Sequence, residues 1–425
     1  MRRETAVITI AGIISLAIVL VMCIFGCNIN YTNAVIIWTN KPEIATYAEL
    51  FNASQNKVKA VVVYKENPVN AFPPTEVEQV PDLVISTGLK NEKVRRNFVP
   101  CDYLFTNQLI NKYIFYPQIL NLGNVDNKQY LLPVSFNLPA VVFSTENEDL
   151  IQDDYVLSPS QIRDTAAKFN VLKSENQYTK MGFAPSWNTE FIYQMLKLNG
   201  ANFAESSNIF SWEKQAIEQT VTYLRDWTTT YNSSTTAEND YKFKYLYTPD
   251  LDWISSKRCL FAYITSNRLF QVPTQKLNTI DYRWIGKNNE ICIDDDIVSM
   301  GMYKYSKNLA AAEHFIVWFM NEDNQKKMLQ WKEELNLYSK TFGIVDGFSS
   351  LQSVNERVYP IFYPNLFGNL PIADTLKTPN ILPAKWDSIK ERVLIPYMQE
   401  AINTDNTETK DTIESLLSLW EKQFF

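Results

Sequence analysis

Residues 34–64, AVIIWTNKPEIATYAELFNASQNKVKAVVVY, carry the pattern that decides the fold. Ala34 to Trp38 is a short β-rich apolar run that ends in the polar turn Thr39-Asn40-Lys41-Pro42. The next stretch, EIATYAELFNAS, puts Ile44, Tyr47, Leu50 and Phe51 on one helical face. Val58 to Tyr64 is a second extended run, and after the proline-rich FPPTEVEQVPD a third follows at Leu83 to Ser86. Strand, helix, strand, loop, strand at these spacings predicts a parallel sheet with helices on its faces. Ligands of such sheets bind at the carboxyl ends of the strands. Trp38, Asn40, Glu43 and Ser86 are therefore the first candidates for ligand contact.

Toward the N-terminus the chain changes character. Arg2 and Arg3 precede a run from Ala6 to Phe25 with no charged residue, and Gly26-Cys27 then opens a polar stretch. A basic start, an apolar middle and a small residue before the break describe a secretory signal, residues 1–26. Ile24-Phe25-Gly26-Cys27 resembles a lipobox, with Phe25 where a small residue is usual. The expectation is cleavage before Cys27 and a lipid on its thiol, anchoring the chain to a membrane and leaving it facing the periplasm or exterior. An uncleaved anchor is the alternative, since about 20 apolar residues can span a bilayer.

Toward the C-terminus, KQYLLPVSFNLPAVVFS (128–144) reads as two extended runs meeting at a polar–aromatic corner that holds Phe136 and Asn137. Residues 159–230 read as helical, with Gly200 ending FIYQMLKLN. LFAYITS (260–266) returns to strand, and Ser266 and Asn267 follow it into a loop. Trp187 and Trp253 lie in loop contexts, and Trp386 opens a late helix. Asp294-Asp295-Asp296 reads as a solvated turn rather than a cation site.

Composition excludes several function classes. A net charge of −7 gives no electrostatic footprint for nucleic acid. His314 is the only histidine, and its apolar-periodic surroundings, AAEHFIVWFM, read as a core helix. Histidine-rich metal sites are thus ruled out, and a Ser-His-Asp arrangement is confined to one position. No cofactor is expected. Cys101, Cys259 and Cys292 follow Cys27 without CxxC spacing and read as buried thiols, with a Cys259–Cys292 bridge left open. These absences argue for binding over chemistry.

The order of landmarks resembles the extracellular solute-binding proteins of ABC transporters, in the sugar-binding family that includes maltose-binding protein. The resemblance rests on VIIWTN (35–40), PDLVIS (81–86), KQYLLPVSFNLPAVVFSTE (128–146) and SWNTEFIYQMLKLNGANF (186–203). It continues through RCLFAYITSN (258–267), SMGMYKYSKNLAAAEHFIVWFMNEDNQKKML (299–329) and WDSIKERVLIPYMQEAI (386–402). It implies an α/β fold of two periplasmic-binding-protein-like lobes, a hinge of crossing strands and a ligand cleft between them. Lobe 1 would comprise 27–138 plus 296–342, and lobe 2 139–295 plus 343–425. Crossings would fall near 138–142, 292–298 and 341–346. The implied function is a substrate-binding lipoprotein of an importer, delivering a sugar or oligosaccharide to permease subunits. Trp38 and Trp386 match cleft-facing family positions, with Trp386 stacking on the ligand and Asn40, Asn137 and Asn267 hydrogen-bonding it. Two other readings stay open: an adhesin-like lipoprotein that kept the fold and lost the ligand, and a glycoside-processing enzyme with paired carboxylates.

Overall fold

A computed structural model describes residues 33–152, 155–174, 176–337, 341–406 and 411–424. The expected signal sequence, residues 1–26, and Cys27 lie outside the described residues. Among the described residues, no helix is long and apolar enough to cross a membrane.

The opening pattern folds as a parallel unit. Ala34–Thr39 pairs in parallel with Lys59–Tyr64 on one side and Leu83–Ser86 on the other. The intervening helix Glu43–Ser54 buries Ile44, Tyr47, Ala48 and Phe51. Spacings of three and four residues align these side chains along one face, which the sheet covers. Leu309–Phe319 packs beside it, with Phe315 and Trp318 against Phe51 at 5.1 and 5.2 Å. His314 also touches Phe51, edge-on at 5.8 Å, in a packing role. The sheet is completed by antiparallel strands, in the order Phe348–Ser349, Leu132–Phe136, Val298–Met302, Leu83–Ser86, Ala34–Thr39, Lys59–Tyr64. Asp82 locks the sheet to the turn before Leu309–Phe319. Its carboxylate accepts from Ile36 N (2.8 Å), Ser306 Oγ (2.6 Å) and Asn308 N (3.1 Å).

A second sheet runs Ala262–Thr265, Pro139–Ser144, Ile280–Ile285, Val156–Leu157. The helices Thr189–Leu198 and Lys214–Tyr231 and the late helical segment from Trp386 pack over it, around Phe183, Phe191 and Trp227. Asn137 and Leu138 alone separate a strand of the first sheet from one of the second. A second passage, over 293–297, lies against it, and Asp294 N donates to Asn137 O at 3.0 Å. The result is a two-lobe, periplasmic-binding-protein-like α/β fold.

The expected boundary at residue 343 and the crossing near 341–346 need correction. Phe348 and Ser349 pair with Phe136 and Ser135, so the chain stays with the first sheet there. Val354, Val358 and Tyr359 bury into the same core. The chain joins the second lobe later, where Leu376–Lys377 pairs with Ile291–Cys292. Behind the cleft, Phe342 packs between Phe270 (4.7 Å) and Tyr363 (4.9 Å), and Phe348 meets Trp284 at 5.8 Å. That aromatic seam is continuous across both lobes.

The 159–230 region is helical at Pro159–Phe169, Thr189–Leu198 and Lys214–Tyr231, but two hairpins interrupt it. Cys101, Cys259 and Cys292 are buried free thiols, so Cys259 and Cys292 are not bridged. Burial pushes the Cys101 thiol up to about 12 and raises Cys259 and Cys292 as well, leaving all three inert.

Candidate functional site

Strand ends build the cleft. Asn40 and Lys41 follow the first strand, and Ser86, Thr87 and Gly88 end the third. Gly88 turns the chain there with φ +73°, the left-handed region that glycine enters without strain. From the second sheet, Thr265 and Asn267 close the strand Ala262–Thr265. The passage between lobes supplies Asn137 and Asp294 to Asp296. Two cavities, about 300 and 270 Å³, meet at Asp295, Asp296 and Asp387, which line both. Asn40, Ser86 and Lys90 line the second, and Asn137, Tyr263 and Asn267 the first.

Helix Thr189–Leu198 provides one wall. Asn188 caps it by accepting from Glu190 N (2.9 Å) and Phe191 N (3.2 Å). Glu190, Tyr193, Gln194 and Lys197 recur at helical spacing and all line the cleft. Phe191, Ile192, Met195 and Leu196 turn the opposite way into the core. The late helix provides another wall. It changes to a π-turn at Lys390–Leu394, just before Pro396, whose missing N–H cannot continue the regular ladder. Asp387 and Lys390 face the cleft from this segment.

Asp295 is the fixed point of the site. Its Oδ2 accepts from Tyr193 Oη (2.5 Å) and Trp386 Nε1 (3.0 Å), and Lys197 Nζ lies 3.5 Å from Oδ1. Burial alone would raise its pKa, but Lys197 and the Tyr193 hydrogen bond outweigh that and hold the carboxyl below its ordinary value. Asp294 behaves oppositely. Burial pushes it up to about 7, with Lys197 opposing the rise and Asp295, Asp296 and Glu190 adding to it. Lys90 is pressed down to about 8 by burial, and its Nζ is buried without a hydrogen-bond partner. Two carboxyls titrating apart are what a glycosidase uses. Here the low one, Asp295, accepts from Tyr193 and Trp386 at Oδ2, and Lys197 lies 3.5 Å from its Oδ1.

The cleft brings together some of the expected residues and not others. Asn40, Ser86, Asn137, Asn267 and Trp386 line it. Ser86 Oγ donates to Asn40 Oδ1 at 3.1 Å. Asn137 is partly committed, donating to Asp346 O (2.9 Å) and accepting from Ser266 Oγ (2.7 Å). Asn267 donates to Asp346 Oδ2 at 3.1 Å. Ser266 itself is fully buried behind them and also accepts from Leu138 N. Trp386 is 5% exposed, packed on Phe203 at 5.3 Å with its indole nitrogen held by Asp295.

Trp38, Glu43, Phe136, Trp187 and Trp253 do not line either cavity. Trp38 is fully buried among Val84, Leu89 and Phe98. Phe136 packs on Tyr116 and Phe348. Trp187 stacks on Tyr241 at 5.8 Å and meets Trp253 edge-on at 5.3 Å. Glu43 is 8% exposed beneath the cleft, where burial raises its pKa and Lys332 opposes the rise. Of the acidic triplet expected in a solvated turn, Asp295 and Asp296 line both cavities and Asp294 the first. Lys90, Glu190, Tyr193, Lys197, Tyr263 and Lys390 are further lining residues that sequence reasoning missed. The polar stripe on helix 189–198 was the available signal.

No protein-family model matches the chain, and no curated protein matches it in sequence. Solved structures do match its fold. The maltose-binding periplasmic protein MalE from Listeria monocytogenes, in complex with maltose, superposes with a TM-score of 0.62 at 12% identity, covering 92% of this chain and 97% of that one. The cyclic alpha-maltosyl-1,6-maltose binding protein from Arthrobacter globiformis gives 0.60 at 14%, covering 90% and 96%. The GacH receptor of Streptomyces glaucescens, solved unliganded and with acarbose, gives 0.59 at 14%, covering 92% and 98%. At these identities the likeness is one of fold.

Proposed function

We propose that this protein is the substrate-binding lipoprotein of an ABC importer, holding a sugar or oligosaccharide between its lobes and passing it to membrane permease subunits. The observation that carries this reading is the interlobe cleft, two joined cavities lined by polar side chains at strand ends of both sheets. Sugars need hydrogen-bonding groups for their hydroxyls and a flat apolar face for their CH surfaces. Asn40, Asn267, Asp387 and Lys390 offer the first, and Tyr263, half-buried in the cleft wall, offers the second. The whole-chain likeness to proteins solved with maltose and acarbose supports the same reading. So does the signal-like N-terminus ending at Gly26-Cys27, which would tether the protein beside its permease.

The test is a melting scan of the full-length protein in detergent against a panel of mono- to trisaccharides. A ligand that binds only the native state stabilises it by about 2.7 kcal/mol at a hundred times its Kd. A saturable rise in melting temperature with one class of sugar, and no product released, is the expected result. No shift with any member of the panel would overturn the reading in favour of an adhesin-like lipoprotein, and product formation would overturn it in favour of an enzyme.

A further inference from the structure

The buried lysines beside the cleft are not alike. Lys197 donates to Ile293 O at 2.9 Å and faces Asp295. Lys332 donates to Gly343 O at 2.7 Å and to Thr341 O at 3.1 Å. Lys90 has no such outlet, because its Nζ is buried without a hydrogen-bond partner among the described residues. An ammonium left this way is costly, and folded chains rarely keep one. Its position is fixed by its neighbours in sequence. Leu89 is buried beside Trp38, Val84 and Phe98, and Asn91 donates to Leu382 O on the second lobe at 3.1 Å. Between these two anchors Lys90 lines the second cavity, together with Asn40, Ser86, Asp296 and Asp387.

The charges facing Lys90 come from several segments. Asp295, on the passage between the lobes, favours the ammonium, and Lys197, on helix Thr189–Leu198, opposes it. Glu66, Asp296 and Asp387 line the same cavity, all three exposed to water. Asp295 turns its Oδ2 to Tyr193 and Trp386 and its Oδ1 toward Lys197. Burial therefore prevails and lowers the Lys90 amine to about 8. An ammonium has three donors and no acceptor, so the group that completes it must bring an acceptor oxygen. Four carboxylates around the cavity disfavour an anion. A sugar hydroxyl meets both demands, since it accepts from Lys90 and donates onward to a carboxylate such as Asp387.

We propose that Lys90 contacts the ligand through its ammonium, donating to an uncharged oxygen of an oligosaccharide in the second cavity, and that this contact couples ligand capture to proton uptake. The proposal rests on the sugar-binding reading above and adds its regulation by pH. A ligand oxygen on the ammonium favours the charged form, so the amine of the complex titrates higher than that of the free protein. Binding then takes up a proton wherever the free amine is partly neutral, and affinity falls as pH rises through 8. Asp294, about 7, is the next cleft group to titrate and is ionised before this interval. Lys332 shares the interval, but it lines neither cavity and its donors are already placed.

The experiment is calorimetry on the full-length protein in detergent, with maltotriose and trigalacturonate as probes. It is run at pH 7, 8 and 9, and at pH 8 in phosphate and in Tris, whose different ionisation enthalpies reveal the protons exchanged. Maltotriose is expected to take up about half a proton at pH 8 and to bind about tenfold more weakly at pH 9 than at pH 7. Lys90→Met keeps the apolar stem and should bind maltotriose about tenfold or more weakly at pH 7, the scale of one hydrogen bond to a charged group. It should also lose the proton uptake, while its ligand-free melting temperature stays level or rises because an unpaired buried charge is gone. Wild-type affinity and proton uptake in Lys90→Met would overturn the proposal and leave sugar binding intact. A fall in melting temperature with affinity unchanged would make Lys90 a structural residue. Tighter binding of trigalacturonate than of maltotriose would overturn the uncharged oxygen. Binding of neither probe would overturn the proposal and the sugar-binding reading together.

Discussion

The indole nitrogen of Trp386 donates to Asp295 Oδ2 across 3.0 Å, joining the late helix to the passage between the lobes. Tyr193 donates to the same oxygen from helix Thr189–Leu198. One carboxylate thus ties three segments that are remote in sequence, and it does so at the meeting point of both cavities. The arrangement gives Trp386 a structural role in holding the cleft wall rather than a free face for stacking on a ligand.

Trp386→Ala should therefore act first on stability. Deleting a buried aromatic costs about 3–5 kcal/mol. Trp386→Phe keeps most of the packing but removes one donor from a buried carboxylate, which costs about 1–3 kcal/mol. Denaturant unfolding of the two variants, run beside ligand titration, checks this. A large loss of affinity in Trp386→Phe with unaltered stability would return the ring to the ligand.

Stability should fall as pH rises from about 4 to 7. Burial raises Asp294 to about 7 and Glu238 to about 7, while both would ionise near pH 4 in the unfolded chain. Between those values the folded state binds more protons than the unfolded one, so the slope of stability with pH is negative. Asp294 is faced by Lys197 and Glu190 from the helix wall and by Asp295 and Asp296 from its own segment. Glu238 is faced by Ser186 and Asn232, which oppose the rise without cancelling it. The depressed amines Lys90 and Lys332, both near 8, act in the opposite sense but only above that pH. Melting curves at pH 5 and 7.5 should show a higher midpoint at pH 5, and Asp294→Asn with Glu238→Gln should flatten the difference. A midpoint that rises over this interval would show that other groups dominate.

What the sequence revealed and what it hid follow from the range of the interactions. The strands at 34–39, 59–64 and 83–86 announce themselves by local apolar runs and turns, and strand ends then point to Asn40, Ser86, Asn137 and Asn267. Trp187 and Trp253 also sit beside loops, but their exposure is decided by Tyr241 and by each other, contacts that no local pattern encodes. The triplet Asp294–Asp296 looks like a surface turn because three acids in a row favour water. It enters the cleft because Asp294 N pairs with Asn137 O, 157 positions earlier in the chain, at the crossing of the lobes. Phe348 deceived in the same way, since only its pairing with Phe136 shows which lobe claims it.

Cys27 should become the acylated N-terminus of the mature protein. The basic pair Arg2-Arg3, the uncharged run to Phe25 and Gly26-Cys27 motivate this expectation. Wild-type cells fed a labelled fatty acid should incorporate it into the protein, and Cys27→Ala should stay unlabelled and unprocessed. Label persisting in Cys27→Ala would show that the lipid lies elsewhere.

Asn91 should control how readily the cleft closes. It lies on the first lobe just after the third strand, and its Nδ2 donates to Glu205 (2.9 Å) and to Leu382 O (3.1 Å) on the second. Its Oδ1 meanwhile accepts from Lys93 N at 3.0 Å, starting the short helix Glu92–Arg95. Asn91→Asp keeps that acceptor while losing both interlobe donors and placing a carboxylate against Glu205. The closed arrangement then loses about 1–3 kcal/mol relative to the open one. Apparent ligand affinity scales with the population of the competent state, so the Kd should rise about five- to a hundredfold. The same variant should scatter X-rays as a more open particle without ligand, and unfold at nearly the wild-type temperature, because neither lobe loses its core. Unchanged affinity together with an unchanged radius of gyration would mean that the aromatic seam behind the hinge, Phe342 and Phe348 with their neighbours, already fixes the lobes, and that Asn91 only caps its helix.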